Sequence, residues 1–256
     1  MFNTADTYIG SSNRLYHFTK AESLLSILST MTIRSNSFHN SNDLFEEKVN
    51  VYMGNNCEQK KQLVDYIHNR CTYISFAIDK YDKDCSLSLR GAQLPNMWGN
   101  YADSNRGACI VIYKEKFEKA NKSLLNSAWQ RADEVRYKNI ISPRTQIESV
   151  FSIEEFIKEQ YEYLFFQKQK SWEHEQEYRY VFIDAPHSFL IKNCIEGIIL
   201  GARFDKFEQL NSVLYDKNLS SYQQLIEKTY WGIQTQHDGL CDIDTTNPKI
   251  DRIINT

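Results

Sequence analysis

The sequence predicts a mixed α+β fold, and three observations carry that expectation. Apolar, β-rich runs and amphipathic helical repeats alternate irregularly along the 256 residues. No glycine-rich crossover turn joins them in the manner of a doubly wound parallel sheet. Only four prolines and nine glycines punctuate the chain, and no Pro/Gly/Ser-rich linker demands a second domain, so residues 1–256 read as a single one. A composition of 41% hydrophobic, 13% aromatic and 25% charged residues fits an ordered globular protein.

Taken in order, residues 15–18 (Leu-Tyr-His-Phe) read as a short strand. Thr19 with Glu22 three residues on has capping-box spacing, and Leu24, Leu25, Ile27 and Leu28 mark a helix over roughly 20–30. Residues 32–35 suggest a second strand leading into the polar stretch FHNSNDLFEE. A helix is expected over about 57–70 with Leu63, Tyr66 and Ile67 inward, then a strand over 73–78. NMWGNYAD is read as one or two helical turns, and ACIVIY (108–113) is the most apolar strand candidate. A strand is expected near 135–137. Ser142-Pro143 makes a good helix start, and Ile147, Val150, Ile153, Ile157, Tyr161 and Leu164 predict one long helix running to about Lys170. Strands over 177–183 and 195–200, a helix near 206–228 and a final WGI strand complete the pattern.

Net charge is −3 with a pI near 6.1, so no global basic field steers the protein towards nucleic acid or anionic lipid. The six cysteines include no CxxC pair, which excludes metal-knuckle spacing and fits reduced thiols. The N-terminus lacks a basic-then-apolar leader, and no run approaches the ~18 apolar residues of a membrane span. A soluble cytoplasmic protein is the expectation.

WEHEQEYRYVF is the most informative stretch. As a strand it puts Glu175, Glu177 and Arg179 on one face. Two like charges there repel without structural return, unless the face is solvated and Arg179 neutralises Glu177. His174-Glu175 begins like a zinc HExxH helix, but Tyr178 stands where the second histidine belongs, so no metal site is expected. His17 is a lone strand histidine, Ser75 lies outside any GxSxG elbow, and Asn42-Asp43 has the composition of a turn or cap. Trp98 and Tyr101, three apart, share a helical face as packing anchors or as a ring platform. No phosphate-binding glycine loop exists, which argues against Rossmann dehydrogenases and P-loop enzymes. His237-Asp238 near Cys241 reads as loop.

In order, LYHFTKAESLLSIL, SNSFHNSNDLFEE, YISFA, MWGNYADSNRGACIVI and SWEHEQEYRYVF resemble a bacterial and phage-associated family known only as a domain of unknown function. Its boxes fall here on Leu15-Tyr16, on Asn42-Asp43 with Glu46, on Met97-Trp98 with Tyr101-Ala102 and Gly107, and on Trp172 to Arg179. More distantly, the layout is similar to mono-ADP-ribosyltransferases of the DarT-like type. That resemblance implies a mostly antiparallel, split β-sheet core flanked by helices, with NAD as substrate. It implies His17 against the adenosine ribose, Ser75 on the middle strand (a partial match, since Ser-Phe-Ala replaces Ser-Thr-Ser), Glu177 on the nicotinamide ribose and Glu175 guiding the acceptor. Tyr16, Trp98 or Tyr101 would stack on nicotinamide or a target base, Asn42 would line the NAD site, and Arg179 would keep Glu177 ionised. A fixed carboxylate suits the oxocarbenium-like centre that forms as nicotinamide departs.

The expected activity is therefore NAD-dependent ADP-ribosyl transfer by the toxin or effector of a toxin–antitoxin or antiphage system, with an antitoxin or chaperone as its partner. RNA is the first expected acceptor and a protein side chain the second; Arg131, Arg136, Lys138, Arg144, Lys168 and Lys170 form either a nucleic-acid patch or a solvated face. The alternatives are a non-enzymatic nucleotide- or phage-component-sensing module and a metal-free nuclease.

Overall fold

The apolar run Ala108–Tyr113 forms an interior strand of a mostly antiparallel sheet, its first five residues buried. It pairs antiparallel with Arg14–Thr19 on one side and with Ile195–Leu200 on the other, the latter through an irregularity between Ile195 and Gly197. Thr229–Trp231 adds to Ile195–Leu200 in parallel, and Tyr16 pairs with Ala77 across the opposite edge of Arg14–Thr19. The computed structural model describes residues 13–43, 46, 57–84, 87–139, 152–215, 229–231, 233–235 and 241–243. They fall into two compact units: Met1–Ile33 with Phe76–Asn121 and Leu190–Thr256, and Arg34–Ser75 with Lys122–Phe189.

In the first unit the helix Ala21–Thr30 buries Ala21, Leu24 and Leu28. The expected capping box does not form. Thr19 is consumed by strand pairing with Ala108, so Lys20 becomes the residue before the helix and caps nothing, while Glu22 pairs with Lys206. The MWGNYAD stretch is a short helix, Pro95–Asn100. After it, Asp103, Ser104 and Asn105 all take left-handed backbone conformations (φ 48°, 53° and 70°), a turn that delivers Gly107 against the end of the first strand. A Cβ on Gly107 would stand 2.0 Å from the Thr19 carbonyl oxygen. Backbone cannot yield as a side-chain tip can, so Gly107→Ala is expected to cost about 3 kcal/mol, read as a lower denaturant midpoint.

In the second unit the strand Glu177–Ile183 pairs antiparallel with Trp129–Glu134, and its neighbour on the other side is Cys71–Ala77, whose first five residues belong here. Asn36–Ser37 also pairs with Cys71–Ala77. The helix Cys57–Arg70 buries Leu63 and Ile67, as its spacing predicts, whereas Tyr66 is only half-buried. The long helix expected to reach Lys170 is broken. Residues 140–151 lie outside those described; beyond them run Ile153–Glu159, capped by Ser152, and Tyr161–Phe165. The chain then turns extended, and Gln167–Gln169 pairs in parallel with Arg136–Lys138. That pairing withdraws the lysine at 168 from a helix surface. The helix near 206–228 is seen as Phe207–Tyr215, and no described helix is long and apolar enough to cross a membrane.

Candidate carboxylate site

Six residues, Lys170–Glu175, form a 3₁₀ turn between the Gln167–Gln169 strand and the Glu177–Ile183 strand. Gln176 ends it in a left-handed conformation (φ 46°). Glu175 therefore closes the turn instead of sharing a strand face with Glu177, because the left-handed residue between them breaks the alternation. The two carboxylates meet by another route. Lys168 Nζ lies 2.8 Å from Glu175 Oε2 and 2.8 Å from Glu177 Oε2.

Glu177 is saturated with donors. Its Oε1 accepts from the Ser75 hydroxyl and from Arg179 Nε at 2.6 Å. Its Oε2 accepts from Arg179 Nη2 at 2.9 Å as well as from Lys168. The Glu177 backbone N–H donates to the Tyr137 hydroxyl at 3.0 Å. Arg179 uses its remaining nitrogen on the Phe165 carbonyl (2.9 Å), with Glu46 Oε1 2.7 Å away, and the Tyr73 ring lies 4.8 Å below the guanidinium. Glu46 Oε2 in turn accepts from Ser41 at 2.6 Å.

This is no solvated face: Glu175, Glu177 and Arg179 are 3%, 4% and 0% exposed. Arg179 does neutralise Glu177, but in the interior. Burial by itself would raise the Glu177 carboxyl; Arg179 and Lys168 override it and hold the group well below the usual carboxylate range. Likewise burial would lower Lys168 and Arg179, and Glu177 with Glu46 holds both well above their ordinary values. Three carboxylates (Glu46, Glu175, Glu177) face two cations (Lys168, Arg179), so the cluster carries one formal negative charge more than positive.

The lowered Glu177 carboxyl fixes the sign of one pH effect. A group whose folded value lies below its unfolded value of about 4.3 stabilises the fold above that pH and loses the contribution as pH falls through it. Thermal unfolding followed from pH 6 down to about pH 3 is expected to show a falling midpoint, with a shallower fall in Glu177→Gln.

Of the residues singled out in the sequence, the structure brings together Ser75, Glu175, Glu177 and Arg179. Asn42 is exposed, and the buried members of its box are Asp43 and Glu46. Tyr16 and Trp98 belong to an apolar cluster of the first unit, with Tyr101 packed against it. Trp98 is fully buried, its Nε1 donating to the Ala92 carbonyl at 2.8 Å and its ring edge-on to Phe18, so it is a packing anchor. The Tyr16 hydroxyl bonds to Asp79. The His17 ring meets the Phe76 ring edge-on at 5.9 Å.

Lys168, Glu46 and Tyr137 complete the cluster and were not placed with the carboxylate pair from sequence. Glu46 had a signal, its place in the Asn-Asp-x-x-Glu box. Lys168 had none beyond its charge, because it stood among basic residues read either as a nucleic-acid patch or as a solvated face. The rest of that set scatters: Arg131 is exposed, its guanidinium 5.1 Å from the Trp129 and Tyr161 rings, while Arg136 pairs with Glu162 and Asp133. Lys138 and Lys170 are exposed; Arg144, His237 and Asp238 lie outside the described residues.

Chemically, the arrangement offers a carboxylate held low by Arg179 and Lys168, a second carboxylate tied to it through one ammonium, and a hydroxyl donor. No group of three or more His, Cys, Asp or Glu side chains among the described residues is placed to hold a metal ion. No curated protein and no solved structure matches the chain. Residues 97–180, which run from the Met97-Trp98 helix into the strand bearing Glu177 and Arg179, match the family described as "Protein of unknown function (DUF2971)", and over that stretch the chain is similar to a domain family of unknown function.

Proposed function

We propose that this protein is an NAD-dependent mono-ADP-ribosyltransferase in which Glu177 is the ribose-facing carboxylate. The observation that carries the reading is the hydrogen bond from the Ser75 hydroxyl to a Glu177 carboxylate kept ionised by its surroundings. The resemblance to DarT-like enzymes implies Ser75 on a middle strand, as a partial match, and Glu177 on the nicotinamide ribose, and a mostly antiparallel sheet flanked by helices is compatible with their fold. In the reaction the bond from ribose C1′ to nicotinamide breaks, nicotinamide leaves as a neutral base with the electron pair, and positive charge develops at C1′. Glu177 stabilises that charge, the acceptor's lone pair forms the new bond to C1′, and Glu175 takes the acceptor's proton. RNA is the acceptor we favour and protein the second choice, within a toxin–antitoxin or antiphage system.

The test is incubation of the protein with labelled NAD and either RNA or cell extract. Transfer of label by the wild-type protein and its loss in Glu177→Gln is the expected result. Equal labelling by both, or none by either, would overturn the reading.

A second reading has its own observation. With four hydrogen bonds to its oxygens and 4% exposure, Glu177 has little free charge to offer a transition state. A nucleotide-sensing module would need none. That reading expects NAD or another nucleotide to raise the thermal midpoint with no release of nicotinamide.

A further inference from the structure

Lys168 stands at the same 2.8 Å from Glu175 Oε2 and Glu177 Oε2, so these two oxygens lie within twice that distance of each other. The ammonium is itself buried, with the Trp172 ring 5.7 Å away. Two carboxylates this close in a poorly solvated setting do not both stay ionised without a cation between them. Arg179 is committed to Glu177, to Glu46 and to the Phe165 carbonyl.

We propose that Lys168 is the positioning residue that sets the charge state of the Glu175–Glu177 pair: it holds the two carboxyls together with both ionised, and without it they share one proton. Lys168 reaches both carboxylates from the extended Gln167–Gln169 segment, whose central residue is the buried one. Other charged and titratable groups face the pair. Glu46 Oε1 lies 3.9 Å from the Lys168 ammonium, and Arg179, Tyr73 and Tyr137 surround Glu177. Burial pushes both phenols up, so they stay neutral around neutral pH. His174, on the same 3₁₀ turn, engages the Ser171 carbonyl through Nδ1. The consequence for catalysis rests on the transferase reading, in which an ionised Glu175 receives the acceptor's proton; the charge-state assignment does not.

The experiment compares thermal midpoints of the full chain, wild type and variants, between about pH 5 and pH 8. In Lys168→Met the shared proton gives a carboxyl whose folded value stands above its unfolded one. Such a group stabilises at low pH and loses its contribution as pH rises, so the variant-minus-wild-type midpoint should fall steadily across the window. Lys168→Arg should abolish that slope, and so should Lys168→Met combined with Glu175→Gln. A difference that is the same at every pH, or a slope that persists in the double variant, overturns the proposal. If Lys168→Met does not fold, folding of the double variant supports the assignment and its failure to fold overturns it. In the NAD assay, Lys168→Met should move the transfer–pH profile up by at least about one unit. A wild-type protein that transfers nothing removes the transferase reading, while the midpoint slope still decides the role of Lys168.

Discussion

Arg179→Leu is expected to cost about 3–5 kcal/mol, a large part of the 5–15 kcal/mol that holds a typical domain together. The wild-type guanidinium is fully buried and answers both Glu177 oxygens, Glu46 and the Phe165 carbonyl. Leucine fills much of the volume but leaves three buried carboxylates facing Lys168 alone. The loss is one of charge compensation more than of packing, and that distinction is measurable. Adding Glu177→Leu to Arg179→Leu should recover part of the stability in chemical denaturation, because it removes a stranded charge. A double variant no more stable than the single one would assign the loss to packing. Arg179→Lys is no conservative substitute, since one ammonium cannot span acceptors that the fork reaches with three nitrogens.

Glu177→Gln is expected to lower NAD-dependent transfer by at least about 100-fold, the usual scale for removing one electrostatic stabiliser of a transition state. Its structural cost should be smaller than that of Arg179→Leu. The substitution leaves two carboxylates, Glu46 and Glu175, with two cations, Lys168 and Arg179, so the cluster becomes formally balanced. The remaining penalty comes from hydrogen bonding. The amide nitrogen that replaces one oxygen meets donors from Arg179 or Lys168 where an acceptor stood, a loss of about 1–3 kcal/mol. A variant that is inactive yet still melts cooperatively separates chemistry from folding. Retained transfer in a folded Glu177→Gln would remove Glu177 from the reaction.

Much of the fold was legible locally. Ala108–Tyr113 and Glu177–Ile183 are strands because apolar, β-branched and aromatic residues crowd them, and Cys57–Arg70 is a helix with Leu63 and Ile67 at helical spacing. The errors came where a long-range partner overruled a local pattern. Thr19 had the composition of a cap but was taken by pairing with Ala108. The apolar repeat that ends near Leu164 ran on, by extrapolation, over Lys168, which in fact pairs as a strand with Tyr137.

The Glu175–Glu177 pair shows the same division. The sequence determined that two carboxylates and an arginine lie within five positions, and that strand alternation sets Glu177 beside Arg179, a contact of neighbours two apart on one face. Beyond that it left open a solvated face or a functional carboxylate pair. Only the tertiary structure decided that the face is buried, that Gln176 turns Glu175 off the strand, that Lys168, seven residues before Glu175, folds back onto both carboxylates, and that Glu46 arrives from a distant segment to complete the charge pattern. The reason is physical: alternation along a strand is fixed by neighbouring residues, whereas a buried charge is tolerable only when counter-charges converge on it, and their convergence depends on how remote segments pack.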